Sequence, residues 1–217
     1  MKIGMILDAP YPIDPRVTNE AKALISSGNE VFLFCLSFNK SFKSNEIING
    51  INVVRFFCSK ITYKLSALAY TFPFYKWVMS KKIKKFIKTY NVDVLHVHDL
   101  QIASSVFYAN TKFNLKITLD LHENRPEIMK FYKHVNGFFG KMFIYPSLWK
   151  KAEERYCKKS SSVVVVTDLA KKELVERVNI NEKKVVVFSN SVSKSFYTDP
   201  FFDDVIIKKY SDSFVLL

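Results

Sequence analysis

The chain has 217 residues, of which 48% are hydrophobic and 15% aromatic, and it carries a formal net charge of +13. This composition excludes an intrinsically disordered protein, and only 5 glycines and 7 prolines exclude collagen-like repeats and long flexible linkers. The charge predicts an anionic partner: a nucleic acid, an anionic lipid or a phosphorylated substrate. Three widely spaced cysteines without a C-x-x-C motif are typical of reduced core residues and indicate no metal site: Cys35, Cys58 and Cys157.

The amino-terminal segment does not have the order of regions found in a secretory signal, because Asp8 interrupts its apolar run. The longest apolar stretch, around residues 65–75, is shorter than the about 20 residues that a membrane-spanning helix needs. We therefore expect a cytoplasmic protein, either free in solution or peripheral on the inner face of the plasma membrane.

Short apolar runs alternate with helical patterns along the chain, which predicts an α/β fold with a doubly wound, mostly parallel, Rossmann-like sheet. The predicted strands cover residues 2–7, 30–36, 51–57, 93–97, 115–121, 162–166 and 184–188. The predicted helices cover 16–27, 60–90 with a bend near Pro73, 100–111, two stretches that end with 147–159, and 169–178. Because 162–166 is an unbroken β-branched run, we expect that strand to be buried on both faces.

The last residues, 212–217, have the pattern of a strand that begins and then stops. A hydrophobic strand without a neighbour is an unfavourable end for a domain, because its backbone groups remain unpaired. We therefore expect that a second domain follows and that this chain is a fragment of a longer protein.

The positive charge is concentrated in two segments that are also rich in aromatic residues. Residues 60–90 contain eight lysines and no acidic residue, and residues 130–151 have a similar composition. One interpretation is two core-packed helices, each with a lysine face in solvent. The other is a pair of interfacial segments that bind an anionic membrane surface.

Polar side chains follow five predicted strands at the point where each strand ends. In an open parallel sheet, ligands bind outside the carboxyl ends of the strands, so these side chains predict a shared cleft. They are Asp8 and Asp14, His98 and Asp99, His122 and Glu123, Thr167 and Asp168, and Ser189 and Asn190.

Several of these residues also have simpler interpretations. Thr167 or Asp168 is more often a plain N-cap than a ligand-binding residue, and Asp14 can simply start the next helix. We expect His96 to point away from His98 into the core, so that the two histidines do not share a metal ion. The chain has no G-x-G-x-x-G, G-x-x-x-x-G-K-[ST] or G-x-S-x-G motif, which disfavours dehydrogenases, kinases and serine hydrolases.

Five segments, taken in order, resemble family 4 of the GT-B glycosyltransferases. They are 11–16 (YPIDPR), 93–99 (DVLHVHD), 120–127 (DLHENRPE), 163–168 (VVVVTD) and 186–192 (VVFSNSV), and together they extend over almost the whole chain. One departure is the segment 8–12 (DAPYP), which stands where the family has a glycine-rich turn. This departure weakens the expectation that the first loop contacts the donor phosphates.

The resemblance implies that residues 1–200 form the N-terminal, acceptor-side half of a GT-B fold. Residues 201–217 would then be the interdomain crossing and the first strand of a missing C-terminal domain. The family transfers a sugar from a nucleotide-sugar donor with retention and without a metal or other cofactor. Because the missing half holds most of the nucleotide, we expect this fragment alone to be inactive.

By position, the resemblance assigns a catalytic role to His122, facing the donor sugar. It assigns the acceptor pocket to Asp14, Arg16, His98, Asp99 and Glu123, and the donor side of the cleft to Thr167 and Asn190. The partners we expect from the resemblance are a nucleotide sugar and a glycan or lipid-linked acceptor for cell-surface polysaccharide. The basic, aromatic segments add an anionic membrane surface as a partner, and we expect no nucleic acid. Two alternatives remain open: a nucleotide-sugar 2-epimerase of the same fold, and a basic nucleic-acid-binding module.

Overall fold

The computed structural model describes residues 1–190 and 204–213. Its strands are β1 (Lys2–Ile6), β2 (Glu30–Ser37), β3 (Asn45–Ile48), β4 (Ile51–Phe57), β5 (Val94–His98), β6 (Lys116–Leu121), β7 (Ser162–Val165) and β8 (Val185–Val187). They form one sheet in the order β3-β4-β2-β1-β5-β6-β7-β8, in which the β3–β4 pair is antiparallel and the other neighbours are parallel. This topology confirms the predicted doubly wound, mostly parallel α/β fold.

The helices alternate with the strands. They are α1 (Pro15–Ser26), α2 (Lys60–Lys64), α3 (Phe74–Tyr90), α4 (Leu100–Asn110), α5 (Arg125–Ile128), α6 (Lys133–Asn136), α7 (Phe138–Phe143), α8 (Pro146–Lys159), α9 (Asp168–Val178) and α10 (Asp204–Lys209). Local chemistry sets several of their ends. Asp14 caps α1 through the Arg16 amide, while α3 and α9 end where Asn91 and Asn179 adopt the left-handed conformation that asparagine tolerates.

Three details differ from the sequence predictions. The strand β3 was not predicted, and it forms a hairpin with β4 through Asn49 and Gly50, both at positive φ. Residues 60–90 do not form one helix bent near Pro73, because a 3-10 turn follows α2 and Pro73 is the N-cap of α3. The strand β7 is not buried on both faces, since Val164 is only half-buried.

Two apolar layers cover the sheet. The larger one packs α3, α4, α8 and α9 against one face, with Tyr75, Phe86 and Trp149 among its fully buried side chains. The smaller layer packs α1 against β1, β2 and β4 on the other face, through Val17 and Ala21. Beyond α1, that second face of β5 and β6 carries polar side chains, and this is where the candidate site lies.

A buried ion-pair network joins α8 and α9. Arg177 lies 2.5 Å from Glu153, 3.1 Å from Glu154 and 2.5 Å from Glu173. Glu153 is 2% exposed, and burial raises the pKa of this carboxyl although Arg177 opposes the shift. The network therefore matters for stability, because removing the guanidinium would leave an uncompensated buried charge.

The predicted boundary at residue 200 stays a prediction. The helix α10 lies within the segment assigned to the interdomain crossing, whereas the predicted strand at 214–217 lies outside the described residues. No helix in the described ranges combines the length and apolar character needed to span a bilayer.

Candidate active site

The carboxyl ends of β1, β5 and β6 meet where the strand order reverses. The chain runs outward from β1 through β2 in one direction and from β5 through β6 in the other, so β1 and β5 flank the switch point. Open α/β sheets bind ligands in the crevice at this position. Asp8 follows β1, His98 ends β5, and His122 follows β6.

A buried cluster of histidines and carboxylates occupies this edge, with Asp120 at its centre. Asp120 Oδ2 lies 3.1 Å from His98 Nδ1, 3.2 Å from His122 Nε2 and 3.4 Å from His96 Nε2. Glu20 reaches in from α1, with its Oε2 3.2 Å from His96 Nε2 and 3.9 Å from His98 Nδ1. An ionised carboxylate only accepts hydrogen bonds, so a ring nitrogen that is hydrogen-bonded to Asp120 is a donor. Because His98 Nδ1 and His122 Nε2 also lie 3.1 Å from each other, only one of these two nitrogens is the donor in that contact.

The expectation that His96 points away from His98 is wrong. Residues two apart on a strand share a face, and the rings of His96 and His98 stack with centroids 4.7 Å apart. The parallel register pairs His98 with Asp120, and His122 follows two residues later on the same face as Asp120. His98 and His122 also stack, with centroids 5.3 Å apart. One face of two neighbouring strands therefore brings all four side chains together.

Burial and neighbouring charges shift the pKa values of the cluster residues in different directions. Burial opposes ionisation of Asp120, but hydrogen bonds from His96 and His98 hold its pKa well below the usual range. Burial likewise disfavours a charged His96, yet its hydrogen bonds to Asp120 and Glu20 raise its pKa to about 9. Burial lowers the pKa of His98, which leaves that ring neutral. The cluster at neutral pH therefore contains an ionised Asp120 beside a charged His96 and a neutral His98.

Four of these residues could hold a metal ion by geometry alone. The ligand atoms of Glu20, His98, Asp120 and His122 all lie within 4.8 Å of one another, and all four residues are buried. The chemistry of the donor set suits zinc, which accepts imidazole nitrogen and carboxylate oxygen. The sequence-based reason for excluding a shared ion, the opposite orientation of His96 and His98, does not hold. The expectation that no metal is needed now rests on the family resemblance, and it stays a prediction.

Asp14 and Arg16 form an ion pair at the rim of this edge. The Arg16 guanidinium donates to both carboxylate oxygens of Asp14, at 2.8 and 3.1 Å, and the Arg16 amide donates to Asp14 as well. Partial burial opposes the ionised form, but these hydrogen bonds lower the pKa of Asp14. The simpler interpretation of Asp14 as a helix cap is therefore confirmed, and its carboxylate is also engaged by Arg16.

A second charged pair lies between the ends of β5 and β6. Arg125 Nε is 2.9 Å from Glu123, and its Nη2 is 3.8 Å from Asp99. Asp99 has φ +67°, a backbone conformation that is uncommon for a residue other than glycine and that often marks functional sites. Its amide donates to the Asp120 carbonyl at 2.9 Å, which ties this strained turn to the histidine cluster.

Asp8 is the buried acid at the end of β1. It accepts a short hydrogen bond from the Tyr75 hydroxyl and one of 2.8 Å from Gln101 Nε2, which also donates to Ser66 at 2.9 Å. Burial raises the pKa of Asp8 to about 7 although both hydrogen bonds favour the ionised form. This acid is therefore poised to titrate near neutral pH.

The structure places the residues assigned to the donor side farther along the edge. The Thr167 hydroxyl caps α9 by accepting from the Ala170 amide at 3.1 Å, which confirms the simpler interpretation. Asn190 is exposed just after β8. The predicted residues Asp14, Arg16, His98, Asp99, His122 and Glu123 thus gather at one edge, where neither Thr167 nor Asn190 joins the histidine cluster.

Three residues of the cluster were not among those predicted to form the site: Glu20, His96 and Asp120. The sequence could have indicated His96 and Asp120, because the two-residue period of a strand places His96 beside His98 and Asp120 beside His122. Glu20 comes from a helix on the other side of the switch point, and only the tertiary packing of α1 brings it to His96.

Comparisons with known proteins identify the family and the fold. A family model described as Glycosyltransferase Family 4 matches residues 15–196. A search of the curated proteins gave no significant match.

Among solved structures, sucrose-phosphate synthase from Thermosynechococcus elongatus is similar, with a TM-score of 0.66, 12% identity, and coverage of 88% of this chain and 48% of that one. A structure described as trehalose-6-phosphate from E. coli bound with UDP-2-fluoro glucose has a TM-score of 0.62 at 11% identity. The match covers 98% of this chain and 54% of that one. The lipopolysaccharide outer core galactosyltransferase WaaB has a TM-score of 0.54 at 17% identity, and the match covers 89% of this chain and 46% of that one. The chain thus spans about half the length of these three proteins.

Proposed function

We propose, from the premise that this chain belongs to glycosyltransferase family 4, that it forms the acceptor side of an enzyme that transfers sugar from a nucleotide-sugar donor. The acceptor is a glycan or a lipid-linked glycan in the synthesis of cell-surface polysaccharide, and the anomeric configuration is retained. The observation that carries this proposal is the histidine and carboxylate cluster at the carboxyl ends of β5 and β6. It gathers hydrogen-bonding groups where this fold class binds its ligands.

His122 is the proposed catalytic residue of this cluster. Its Nε2 is engaged by Asp120 at 3.2 Å and by His98 at 3.1 Å, so the ring is held in one orientation. The other nitrogen, Nδ1, lies outside these contacts, and we assign to it the contact with the donor sugar as positive charge develops at the anomeric carbon. A group fixed in position before the reaction stabilises such charge without reorganisation.

The acceptor hydroxyls would bind along the adjacent rim. Carboxylates accept hydrogen bonds from sugar hydroxyls, and guanidinium groups donate to them, so the rim offers both kinds of partner. Asp14 with Arg16 stands on one side, and Asp99 and Glu123 with Arg125 stand on the other. Asp99 also connects this rim to Asp120 through the backbone, which couples acceptor binding to the position of the cluster.

An exposed aromatic surface supports a membrane-bound acceptor. We define it by five residues, of which Phe74 is 55%, Trp77 47%, Phe138 76% and Phe139 74% exposed, with Phe72 beside them. The two segments are in contact, because Thr71 donates to the Phe143 carbonyl at 2.7 Å and the rings of Phe72 and Phe143 lie 6.0 Å apart. Aromatic groups of this kind favour the interface of a lipid bilayer.

The outer face of α3 continues this surface with positive charge. Phe74, Lys81, Lys85 and Lys88 follow one another at spacings of seven, four and three residues, which places them on one stripe of the helix, and the three lysines are exposed. Lysines beside exposed aromatics fit an anionic membrane. We therefore propose peripheral binding to such a membrane, tested by co-sedimentation with neutral and with anionic vesicles.

The two alternatives predict different behaviour. The family assignment favours transfer over 2-epimerisation, and the polar rim is not needed by a nucleic-acid-binding module. A complete protein that ignores every nucleotide sugar but binds heparin, and is released from it at modest salt, would support the nucleic-acid alternative.

The most direct test is an assay of the complete protein against a panel of nucleotide sugars and glycan acceptors. We expect one donor to be consumed only when an acceptor is present, with the anomeric configuration retained in the product. Residues 1–217 alone should turn over none of the donors. Consumption of the donor with inversion of its sugar at carbon 2, or activity of the isolated fragment, would contradict the proposal.

A further inference from the structure

A large cavity lies between the active-site edge and the aromatic surface. Its volume is about 670 Å³, within the range of pockets that bind small ligands. One wall comes from the turn after α2, with Ala67 and Leu68, and the opposite wall comes from the segment between α5 and α8, with Met129 and Trp149.

The cavity touches both regions that the proposed function uses. At one end, Gln101 and Arg125 line it, and these residues contact Asp8 at 2.8 Å and Glu123 at 2.9 Å respectively. At the other end, the cavity is lined by Phe139, which belongs to the aromatic surface, and by Phe143, which contacts that surface. A molecule inside could therefore extend from the aromatic surface to the sheet edge.

The lining indicates the chemistry of the occupant. Most of the wall is apolar, which favours a hydrocarbon chain over a free sugar. Lys64 and Arg125 line the cavity, and among its described lining residues none is acidic.

These observations together fit an amphiphile with an anionic head. We propose that the cavity binds the hydrocarbon chain of a lipid-phosphate-linked acceptor, with Lys64 beside the phosphate. This assignment rests on the proposed function, because it specifies the acceptor of the same site. Arg125 is already paired with Glu123 and lies near Asp99, so Lys64 is the more available cation.

Intrinsic fluorescence provides a direct test, because the chain has 2 tryptophans and Trp149 lines the cavity. In residues 1–217 with the substitution Trp77→Phe, Trp149 is the sole tryptophan. Titration with farnesyl phosphate should give a saturable change in emission, whereas inorganic phosphate should give none and farnesol should bind at least tenfold more weakly. A response to inorganic phosphate alone would mean a simple anion site and would overturn the proposal.

Two variants separate the cavity from surface adsorption. Ala67→Phe fills the cavity and should weaken farnesyl phosphate binding at least tenfold, whereas the same substitution at the exposed Ala23 on α1 should leave it unchanged. Lys64→Gln lies at an exposed position and should weaken the phosphate ester but not farnesol, even if Ala67→Phe fails to fold. Equal binding by all of these proteins would overturn the proposal.

The titration needs no donor and no turnover. If the complete protein transfers sugar to a soluble glycan and farnesyl phosphate does not bind, the proposed function stands and the lipid assignment fails. If farnesyl phosphate binds as expected and no nucleotide sugar is consumed, the transferase proposal fails separately.

Discussion

The lysines of α3 allow a test of membrane binding that compares variants of equal charge. The variants differ in where on the helix the charge is removed. Lys81 and Lys85 lie on the exposed stripe with Phe74, whereas Lys82 donates to the Phe57 carbonyl at 3.0 Å and Lys84 lies 4.7 Å from the Tyr108 ring centroid. The double variants Lys81→Gln/Lys85→Gln and Lys82→Gln/Lys84→Gln therefore remove the same charge from different positions.

Each basic residue near an anionic surface contributes about 1 kcal/mol of attraction. Loss of Lys81 and Lys85 should therefore cost about 2 kcal/mol, which is about 30-fold in the partition coefficient. Lys82 and Lys84 are held against the protein, so their loss should cost less than about tenfold. The difference should shrink at physiological salt, where the screening length is about 8 Å.

Co-sedimentation with vesicles of neutral or of anionic lipid measures these partition coefficients. Replacement of Phe74 and Trp77 by serine should lower binding to both kinds of vesicle, because it removes the apolar contribution. Equal losses in the two lysine pairs would refute the proposed orientation of α3. Equal recovery of the unmodified protein with neutral and with anionic vesicles would refute the preference for anionic lipid, and no recovery with either would refute membrane binding itself.

Three further predictions concern stability and metal dependence. Because burial raises the pKa of Asp8 to about 7, the folded state holds a proton that the unfolded state releases near pH 4. The free energy of unfolding should therefore fall as pH rises from about 4 to about 7, by up to about 4 kcal/mol, and then level off. Chemical denaturation should show a flatter profile for Asp8→Asn, and an identical slope would contradict the buried acid. Arg177→Met should lower the free energy of unfolding by about 3–5 kcal/mol, because Glu153 is left unpaired. Lys172→Met on the same helix should change it little. Equal effects of the two substitutions would show that the ion-pair network does not stabilise the fold. Treatment with EDTA should not alter transfer by the complete protein, because His96 and His98 are hydrogen-bonded to Asp120 and a metal ion would break these bonds. Activity restored only by added zinc would show that the cluster is a metal site.

The order of strands and helices could be predicted because burial in a parallel sheet leaves a strong pattern. β2 and β7 are almost continuous apolar runs, and α1 has helical spacing closed by a glycine. β3 could not be predicted, because Asn45–Ile48 is a short edge strand with no fully buried residue. Pro73 was assigned to a bend, but proline without an amide hydrogen is equally suited to a helix start, and only tertiary packing distinguishes the two.

The location of the site could be predicted more easily than its internal contacts. Polar residues at strand ends identified the edge, since the carboxyl ends of parallel strands meet there. The role of Asp120 depends on the register between β5 and β6, which places it opposite His98. Glu20 and the partners of Asp8 come from distant segments, with Tyr75 separated from Asp8 by 67 residues, and no local pattern indicates such contacts.

We propose that His122 acts in sugar transfer from a position fixed by Asp120 and His98. The measurement that tests it is the kcat of the complete protein carrying His122→Ala, with the melting temperature of the same sample. Removal of one fixed group near developing charge should lower kcat about 10²–10³-fold while the melting temperature changes little. As a control, Val163→Ala in β7 should lower the melting temperature without lowering kcat. An unchanged kcat for His122→Ala, or a collapse of its melting temperature, would contradict the account.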